Sequence, residues 1–209
     1  MIVHLVEFRI KSGFEAEVVA TLQLPGPASA WPAGLVAHCV GRRMGHSHRK
    51  HVFACAWQDF ESWRHGLDEA DSPSCLTRVA DRLEDRRDSV VDVLASVGPR
   101  WDEGRVLRIY RATVAADSLA EWEAKALGPV GKLSGLDGLV SILVGPAWPR
   151  PDGQGDRTVF AISAWRDWSA VLSATGGRID RLVQRTELAD LERPVRVDHY
   201  QILDPSAEE

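Results

Sequence analysis

Gly34–Gly41 reads GLVAHCVG and Gly138–Gly145 reads GLVSILVG, so two octapeptides 104 residues apart share five of eight residues. A second matched pair follows them: Val52–Asp59 reads VFACAWQD, and Val159–Asp167 reads VFAISAWRD with one residue inserted. Matching segments in the same order and at a nearly constant offset are the signature of an internal repeat. The chain is therefore predicted to be a tandem duplication, and this duplication decides the fold.

The limits of the two copies follow from a third match and a linker. His4–Glu7 lies over Arg108–Arg111 at the offset of the octapeptides. Residues 97–104 contain Gly, Pro and charged residues, a composition typical of a connecting segment. We predict a first repeat over residues 1–98, a second repeat over residues 104–204 and a tail over residues 205–209.

Both copies carry the same order of secondary-structure signals. Alternating and β-branched apolar residues predict strands, and apolar residues at every fourth position predict amphipathic helices. In the first repeat we predict strands over 2–10, 34–44, 50–57 and 89–96, and helices over 13–23, 59–67 and 72–88. In the second repeat we predict strands over 105–114, 138–147, 157–165 and 195–203, a helix over 118–133 and helical stretches within 167–192. The charged run 82–88 is interpreted as the solvated face of a helix.

The order β-α-β-β-α-β is that of a ferredoxin-like unit. Such a unit covers one face of its four-stranded sheet with helices and leaves the other face apolar and bare. A second copy in the same chain buries that face when the two sheets pack together. The sequence therefore predicts an α+β protein in which two ferredoxin-like repeats form an intramolecular eight-stranded barrel.

The composition narrows the class of protein. Of the 209 residues, 44% are hydrophobic and 26% are charged, with a formal net charge of −5, which is typical of a soluble globular chain. The acidic balance argues against a nucleic-acid partner. No apolar run is long enough for a membrane span, and the start lacks the layout of a signal peptide. Three cysteines without C-x-x-C spacing favour neither a disulfide framework nor a zinc site. We expect a cytoplasmic protein without a metal.

Three stretches of the first repeat resemble the antibiotic biosynthesis monooxygenase family: Phe8–Gly13 (FRIKSG), Gly34–Val36 (GLV), and Val52–Asp59 followed by Trp63. Members of that family have a strand that ends in a glycine turn, a glycine that opens the second strand, and a strand-ending Trp before an acidic helix start. The resemblance extends over both repeats and implies the dimeric α+β barrel, here within one chain. It also implies a small aromatic or polyketide-type substrate, dioxygen as co-substrate, no cofactor and a place in secondary metabolism.

The chain departs from two mechanisms of the family. Haem-degrading members use an Asn, a Trp and a His at positions that fall on Val6, Gly66 and near Leu76 of this sequence. Quinone-forming members use Asn and Tyr in the pocket, but this chain contains no Asn, and its only tyrosines are Tyr110 and Tyr200. We therefore expect that this protein does not use a close copy of either mechanism.

Three histidines are candidates for a catalytic base, because imidazole titrates near neutral pH. His65 lies on a predicted helix of the first repeat and has no His counterpart in the second, which is the asymmetry expected if one repeat kept a working pocket. His4 and His38 lie on predicted strands and could meet across adjacent strands. The alternatives are an exposed helix residue for His65, and hydrogen-bonded structural residues for His4 and His38.

Large aromatic residues are candidates for the wall of a substrate site. Two of them end matching strands, two lie on the helices that follow, and one is on the last strand. The alternative for each is structural, because large aromatics dominate core burial. The candidates are Trp57, Trp165, Trp63, Trp168 and Tyr200.

Two further groups are interpreted as structural. His46, His48 and His51 cluster on a hairpin, but their spacing fits no established zinc motif and basic residues lie among them, so a solvated turn is favoured. Cys39 and Cys55 lie symmetrically about that turn and are interpreted as small core residues that face each other.

These observations leave three functional hypotheses. The first is a cofactor-independent monooxygenase or oxidase that acts on an aromatic small molecule. The second is a cyclase or isomerase on the same barrel, and the third is a non-catalytic barrel that binds a small molecule. Pairing of two tandem barrels into a homodimer is left open.

Overall fold

The computed structural model describes residues 1–23, 31–45, 49–68, 75–98, 101–148, 155–179 and 192–204. The chain divides into two compact units, one formed by Met1–Ser89 with Tyr200–Glu209 and the other by Val90–His199. The predicted tail over 205–209, His46 and His48 of the hairpin, and the helical stretches expected within 180–191 lie outside the described residues. The predicted repeat limits at residues 98 and 104 stay a prediction.

The first unit is a ferredoxin-like arrangement. Its elements are β1 (Ile2–Ile10), α1 (Glu15–Leu22), β2 (Leu35–Arg43), β3 (Lys50–Trp57), α2 (Phe60–Asp68), α3 (Cys75–Arg78) and the larger part of β4 (Leu83–Asp92). β3 lies between β1 and β2 and pairs antiparallel with both. The end of β9 (Glu192–Ile202) adds to β2 through the pairing of Gly41 with Ile202.

The second unit repeats this arrangement. Its elements are β5 (Ala95–Val97), β6 (Val106–Val114), α4 (Leu119–Leu133), β7 (Leu139–Trp148), β8 (Arg157–Trp165), α5 (Trp168–Thr175) and the larger part of β9. β8 lies between β6 and β7, as β3 does between β1 and β2. Buried residues of α4, among them Trp122 and Ala126, pack on Tyr110 and Ile142 of the sheet to form the core of this unit.

The hydrogen-bonded order of the described strands is β4-β1-β3-β2-β9-β6-β8-β7-β5. β4 also pairs with β7, through Val90 with Trp148 and Val91 with Ala147, so the strand order closes on itself. This confirms the predicted α+β barrel of two ferredoxin-like repeats. The predicted strand over 89–96 is divided between β4 and the short β5, which pairs with β7.

The glycine that opens each octapeptide has a structural cause. Gly34 and Gly138 have φ angles of +80° and +77°, in the left-handed region that L side chains rarely adopt. A Cβ at Gly34 would also collide with Ser62 of α2, and a Cβ at Gly138 would collide with Ala170 of α5. The octapeptides are therefore similar because each second strand begins directly beneath a helix.

The helices that cover these glycines begin in the same way. The Asp59 carboxylate accepts a hydrogen bond from the backbone N–H of Ser62 at 2.8 Å, and the Asp167 carboxylate accepts one from Ala170 at 2.8 Å. Each aspartate thus satisfies a backbone donor in the first turn of its helix. The matched strand-ending Trp-x-Asp segments are helix starts in both repeats.

The predicted helix over 72–88 is wrong over most of its length. Among the described residues, only Cys75–Arg78 is α-helical, and Leu83–Asp92 is the strand β4. Charged side chains of this strand bind partners across and along the sheet: Arg9 pairs with Asp85, and Arg86 donates to Asp88 at 2.8 Å. The charged residues therefore form an ion-paired surface of a strand. Their sequence lacks the alternation of apolar and polar residues by which a strand is predicted.

No helix in the part of the chain that the structure describes is long and apolar enough to cross a membrane.

Candidate functional site

A row of three polar side chains crosses the sheet of the first unit. Cys55 on β3 is directly opposite both His4 on β1 and His38 on β2. Directly opposed residues of neighbouring strands point to the same side of a sheet, so all three share one face. The expectation that His4 and His38 meet on adjacent strands is wrong, because β3 lies between their strands and Cys55 separates them.

The buried His4 pairs with the exposed Asp88 of β4. The imidazole is 5% exposed, and its Nε2 lies 3.0 Å from Asp88 Oδ1. Partial burial raises the pKa of the Asp88 carboxyl, but the hydrogen bonds from His4 and Arg86 outweigh it and hold that pKa well below its usual range. Asp88 is thus ionised at neutral pH and bound to the imidazole.

The ionised partner fixes the tautomer of His4. A carboxylate only accepts hydrogen bonds, so Nε2 of His4 carries the proton that is donated to Asp88. In the neutral ring the lone pair is therefore on Nδ1. This arrangement of an imidazole oriented by a carboxylate is the one that general-base catalysis uses.

Trp63 and Phe60 place aromatic surface beside this pair. The Trp63 ring meets the edge of the His4 ring, with centroids 5.9 Å apart and planes at 74°. Phe60, one turn earlier on α2, lies 5.2 Å from the Trp63 ring. α2 therefore covers the face of the sheet that carries His4, and the role of Trp63 in the wall of a substrate site stays a prediction.

Trp57 is buried beneath the same helix. It is on the face of Cys55, two residues along β3, and a Cβ at Gly66 of α2 would collide with its ring. Trp57 therefore fixes the spacing between β3 and α2. The resemblance to haem-degrading proteins assigned a Trp to position 66, and the ring of Trp57 leaves no room for a side chain there.

His38 has its own aromatic surroundings. The Trp31 ring meets it edge-on, with centroids 4.6 Å apart and planes at 86°, and Phe53 lies 6.5 Å away. His38 is half-buried. It lies at the other end of the row from His4, in an aromatic environment.

His65 is exposed on α2. Residues two apart on a helix point about 200° away from each other, and Trp63 faces His4. The structure therefore does not bring His65 to His4, and its role as a base stays a prediction.

The row in the second unit differs in chemistry. Arg108 and Ile142 are both opposite Ser163 on β8, at the positions that His4, His38 and Cys55 occupy in the first unit. Ser163 Oγ accepts a hydrogen bond from the indole N–H of Trp165 at 2.9 Å. The counterpart of His4 is thus the buried guanidinium of Arg108.

Trp168 of α5 meets another histidine. Its ring is edge-on to His199 of β9, with centroids 5.0 Å apart and planes at 89°. Burial, and in second place the charge of Arg108, lower the pKa of His199 from 6.5 to about 4. Neither His199 nor Arg108 is among the candidates predicted from the sequence, because a single His or a single Arg on a strand forms no motif.

Tyr200 forms its hydrogen bond away from the row that contains His4. Its hydroxyl donates to Glu7 Oε1 at 2.6 Å. Glu7 is an odd number of residues from His4 along β1, so its side chain points to the opposite face of the sheet. The structure therefore does not bring Tyr200 into the row that contains His4.

Two interpretations of smaller groups are corrected. His51 is buried, with Nε2 3.1 Å from Glu15 of α1, and is not part of a solvated turn. Cys39 pairs with Ala54, not Cys55, so the two thiols point to opposite faces of the hairpin. Burial raises the pKa of Cys39 to about 12, as befits a core residue.

Solved structures place the fold among monooxygenase-like proteins. A proposed monooxygenase from Fusobacterium nucleatum has a TM-score of 0.72 and 12% identity, with 97% of this chain and 92% of that chain covered. An anthrone oxidase-like protein has a TM-score of 0.59 and 13% identity, over 97% and 91%. A ferredoxin-fold protein from Listeria monocytogenes that is related to antibiotic biosynthesis monooxygenases has a TM-score of 0.55 and 8% identity, over 97% and 95%.

No protein-family model matches the chain, and no curated protein matches its sequence. At identities of 13% or less, these structural matches bear on the fold. The predicted resemblance to the antibiotic biosynthesis monooxygenases is thereby confirmed as a likeness of fold.

Proposed function

We propose that this protein is a cofactor-independent monooxygenase or oxidase that acts on an aromatic small molecule, with His4 as the catalytic base. One observation carries the proposal: a buried imidazole, bound to an ionised carboxylate, lies beside aromatic surface on the helix-covered face of the first unit. The fold similarity to an anthrone oxidase-like protein supports the reaction class.

His4 would act through Nδ1. A substrate with an acidic phenol or benzylic C–H gives its proton to that nitrogen, and Asp88 stabilises the imidazolium that forms. With a benzylic C–H, the electron-rich carbanion then reacts with dioxygen at the carbon that lost the proton. For an anthrone-type CH₂ group the balance is CH₂ + O₂ → C=O + H₂O: one oxygen atom enters the substrate, and the other leaves as water with both hydrogens. Four electrons leave the carbon and fully reduce dioxygen.

The neighbouring aromatic groups would hold a planar substrate. Trp63 is half-buried and in edge contact with His4, so one side of a flat ring system could lie against it while the acidic position faces the imidazole. His38, with Trp31 and Phe53, would line the far end of the row. Trp57 supports α2 from below.

Oxygen uptake tests the proposal. The purified protein is incubated with a panel of anthrones in an oxygen electrode, and the wild type is compared with His4→Gln and Asp88→Asn. Loss of the base should lower kcat about 100-fold or more, and loss of its carboxylate about 10-fold with a shifted pH profile. Asp85→Asn is the matched control, because Asp85 is also an ion-paired aspartate of β4 but binds Arg9.

Each alternative has its own result. If His4→Gln retains the wild-type rate while His65→Gln loses it, the base is His65. Conversion of a substrate without oxygen uptake would indicate a cyclase or isomerase, and binding without conversion would indicate a non-catalytic barrel. A visible absorption band of the purified protein would contradict cofactor independence.

A further inference from the structure

The strand-ending tryptophans of the two units differ in what their indole N–H groups bind. In the second unit, Trp165 Nε1 donates to Ser163 Oγ at 2.9 Å, so a residue of the same strand satisfies this buried donor. In the first unit, Trp57 is 5% exposed, and its Nε1 atom has no hydrogen-bond partner among the described residues. A buried donor without an acceptor is costly, and most such groups are paired. The N–H of Trp57 is therefore a donor that a ligand could use.

One substitution between the repeats accounts for this difference. The Ser163 position of β8 corresponds to Cys55 on β3, since each lies two residues before the Trp that ends its strand. A hydroxyl oxygen is a good acceptor, whereas a thiol sulfur is a weak one. Cys55 therefore leaves the N–H of Trp57 available to a different acceptor.

Trp57 is also a close neighbour of the proposed base. Cys55 is directly opposite His4, so Trp57, two residues further along β3, is a diagonal neighbour of His4 on the same face, about 7–8 Å away. Trp63 of α2 contacts the His4 ring, with centroids 5.9 Å apart. One turn later on the same face of α2, a Cβ at Gly66 would collide with the Trp57 ring. Base and donor are therefore adjacent under one helix.

We propose that the indole N–H of Trp57 donates a hydrogen bond to an oxygen of the substrate, so that the site takes planar aromatic ketones. The inference rests on the proposed function, because that function places the substrate on the face that carries His4. A planar hydrocarbon leaves the donor without an acceptor, whereas a carbonyl oxygen satisfies it. Trp57 thereby selects substrates by the oxygen that they carry.

The same hydrogen bond assists proton removal. When Nδ1 of His4 takes the proton of an acidic C–H, the electron pair of that bond is delocalised into the conjugated carbonyl, and the carbonyl oxygen becomes negative. Hydrogen bonds to charged oxygens are shorter and stronger than those to neutral oxygens. The N–H of Trp57 thus stabilises the anion more than the ketone, which lowers the barrier to deprotonation.

Binding in the absence of dioxygen tests the donor apart from the reaction. In anaerobic buffer, anthrone should move the indole N–H resonance of Trp57 downfield in the spectrum of the isotope-labelled full chain, because the N–H gains an acceptor. Dihydroanthracene, the analogue without the carbonyl, should produce no comparable downfield shift and bind about 5-fold or more weakly. Trp57→Phe, which identifies the resonance, should lose this preference for anthrone.

A reciprocal pair of substitutions separates the donor role from packing. Cys55→Ser supplies the acceptor that the second unit has, so it should move the Trp57 resonance downfield in the free protein. With its donor occupied, this variant should bind anthrone about 5-fold or more weakly than the wild type. Ser163→Cys is the matched control in the second unit, where it removes the acceptor of Trp165 and should leave anthrone binding unchanged.

Three results would overturn the proposal: a Trp57 resonance that anthrone does not move, equal affinity of the wild type for the two compounds, or wild-type affinity in a Cys55→Ser variant whose Trp57 resonance has moved. If Trp57→Phe does not fold, the resonance that moves in Cys55→Ser identifies Trp57, and the two compounds decide. Oxygen uptake without the anthrone-induced shift would refute the donor but not the oxygenase. The shift without oxygen uptake would refute the oxygenase but not the donor.

Discussion

The neutral, buried His199 should make the stability of the protein depend on pH. Burial and the charge of Arg108 lower its pKa from 6.5 to about 4 in the folded protein. In the unfolded chain the imidazole is solvated and titrates near its ordinary value. As the pH falls below about 6.5, the unfolded chain binds a proton that the folded protein refuses, so acid destabilises the fold.

The size of this effect follows from the two pKa values. Each pKa unit corresponds to about 1.4 kcal/mol, so the full loss, reached below about pH 4, is about 3 kcal/mol. Between about pH 7 and about pH 5 the loss is about 2 kcal/mol. The penalty is absent above the unfolded pKa and grows continuously until the pH reaches the folded one.

Urea unfolding across this range measures the contribution. His199→Gln replaces the imidazole by a polar side chain that does not titrate, so its free energy of unfolding should fall about 2 kcal/mol less than that of the wild type between about pH 7 and about pH 5. Arg108→Met should give a partial effect, because it removes the smaller of the two causes. A His199→Gln profile parallel to that of the wild type, or a His199 resonance that titrates near 6.5, would refute the reasoning.

Three further predictions concern the matched features of the repeats. Gly34→Ala should destabilise the protein by about 2 kcal/mol or more, because the added Cβ collides with Ser62 at a position of positive φ. The control Gly128→Ala, in open space on α4, should stabilise the protein by up to about 1 kcal/mol. Urea unfolding measures both variants, and equal midpoints would contradict this account. Asp167→Ala should cost about 1 kcal/mol by thermal unfolding, since the N–H it binds loses its acceptor. Iodoacetamide should label Cys39 at mildly alkaline pH only after unfolding, because burial raises the pKa of Cys39 to about 12; rapid native labelling, read by peptide mass spectrometry, would show an accessible thiol.

Much of the fold could be predicted because the duplication makes each local pattern appear twice. The strand over Arg157–Trp165 begins and ends where the sequence predicts it, and α4 begins one residue later than expected. The octapeptide glycines are identifiable from sequence because only glycine meets both the positive φ and the contact with the helix above. A position that must meet both constraints is easier to identify from sequence than one that reflects only a residue's preference for helix or strand.

The region over 82–88 could not be predicted in the same way. Opposite charges three residues apart, such as Arg82 and Asp85, also suit a helix. The partners that make the run a strand, Arg9 and His4 on β1, lie about 80 residues away in sequence. The wrong helix prediction over this region also affected the predicted site residues. A helical Asp88 has no reason to meet His4, so the strongest acid–base pair of the first unit was not foreseen.

The asymmetry between the repeats predicts a specialised first repeat, but it does not identify the residues of a site there. His65 lacks a counterpart because α2 and α5 differ on an exposed face, where sequence is weakly constrained by packing. His4 and Arg108 differ at a buried position, where each polar group must be matched by its surroundings. A difference between the repeats points to a candidate site when the position is buried, and it carries little information when the position is exposed. The sequence does not report whether a single residue is buried.

Tandem fusion gives a physical reason for two different polar rows. In a symmetric dimer of identical chains, every substitution appears in both copies, so a change from imidazole to guanidinium would convert both rows at once. In a fused chain the positions of His4 and Arg108 are encoded separately. One row can then keep an imidazole bound to Asp88, while the other keeps a buried guanidinium. The two side chains differ in chemistry, because an imidazole gains and loses its proton near neutral pH whereas a guanidinium keeps its charge.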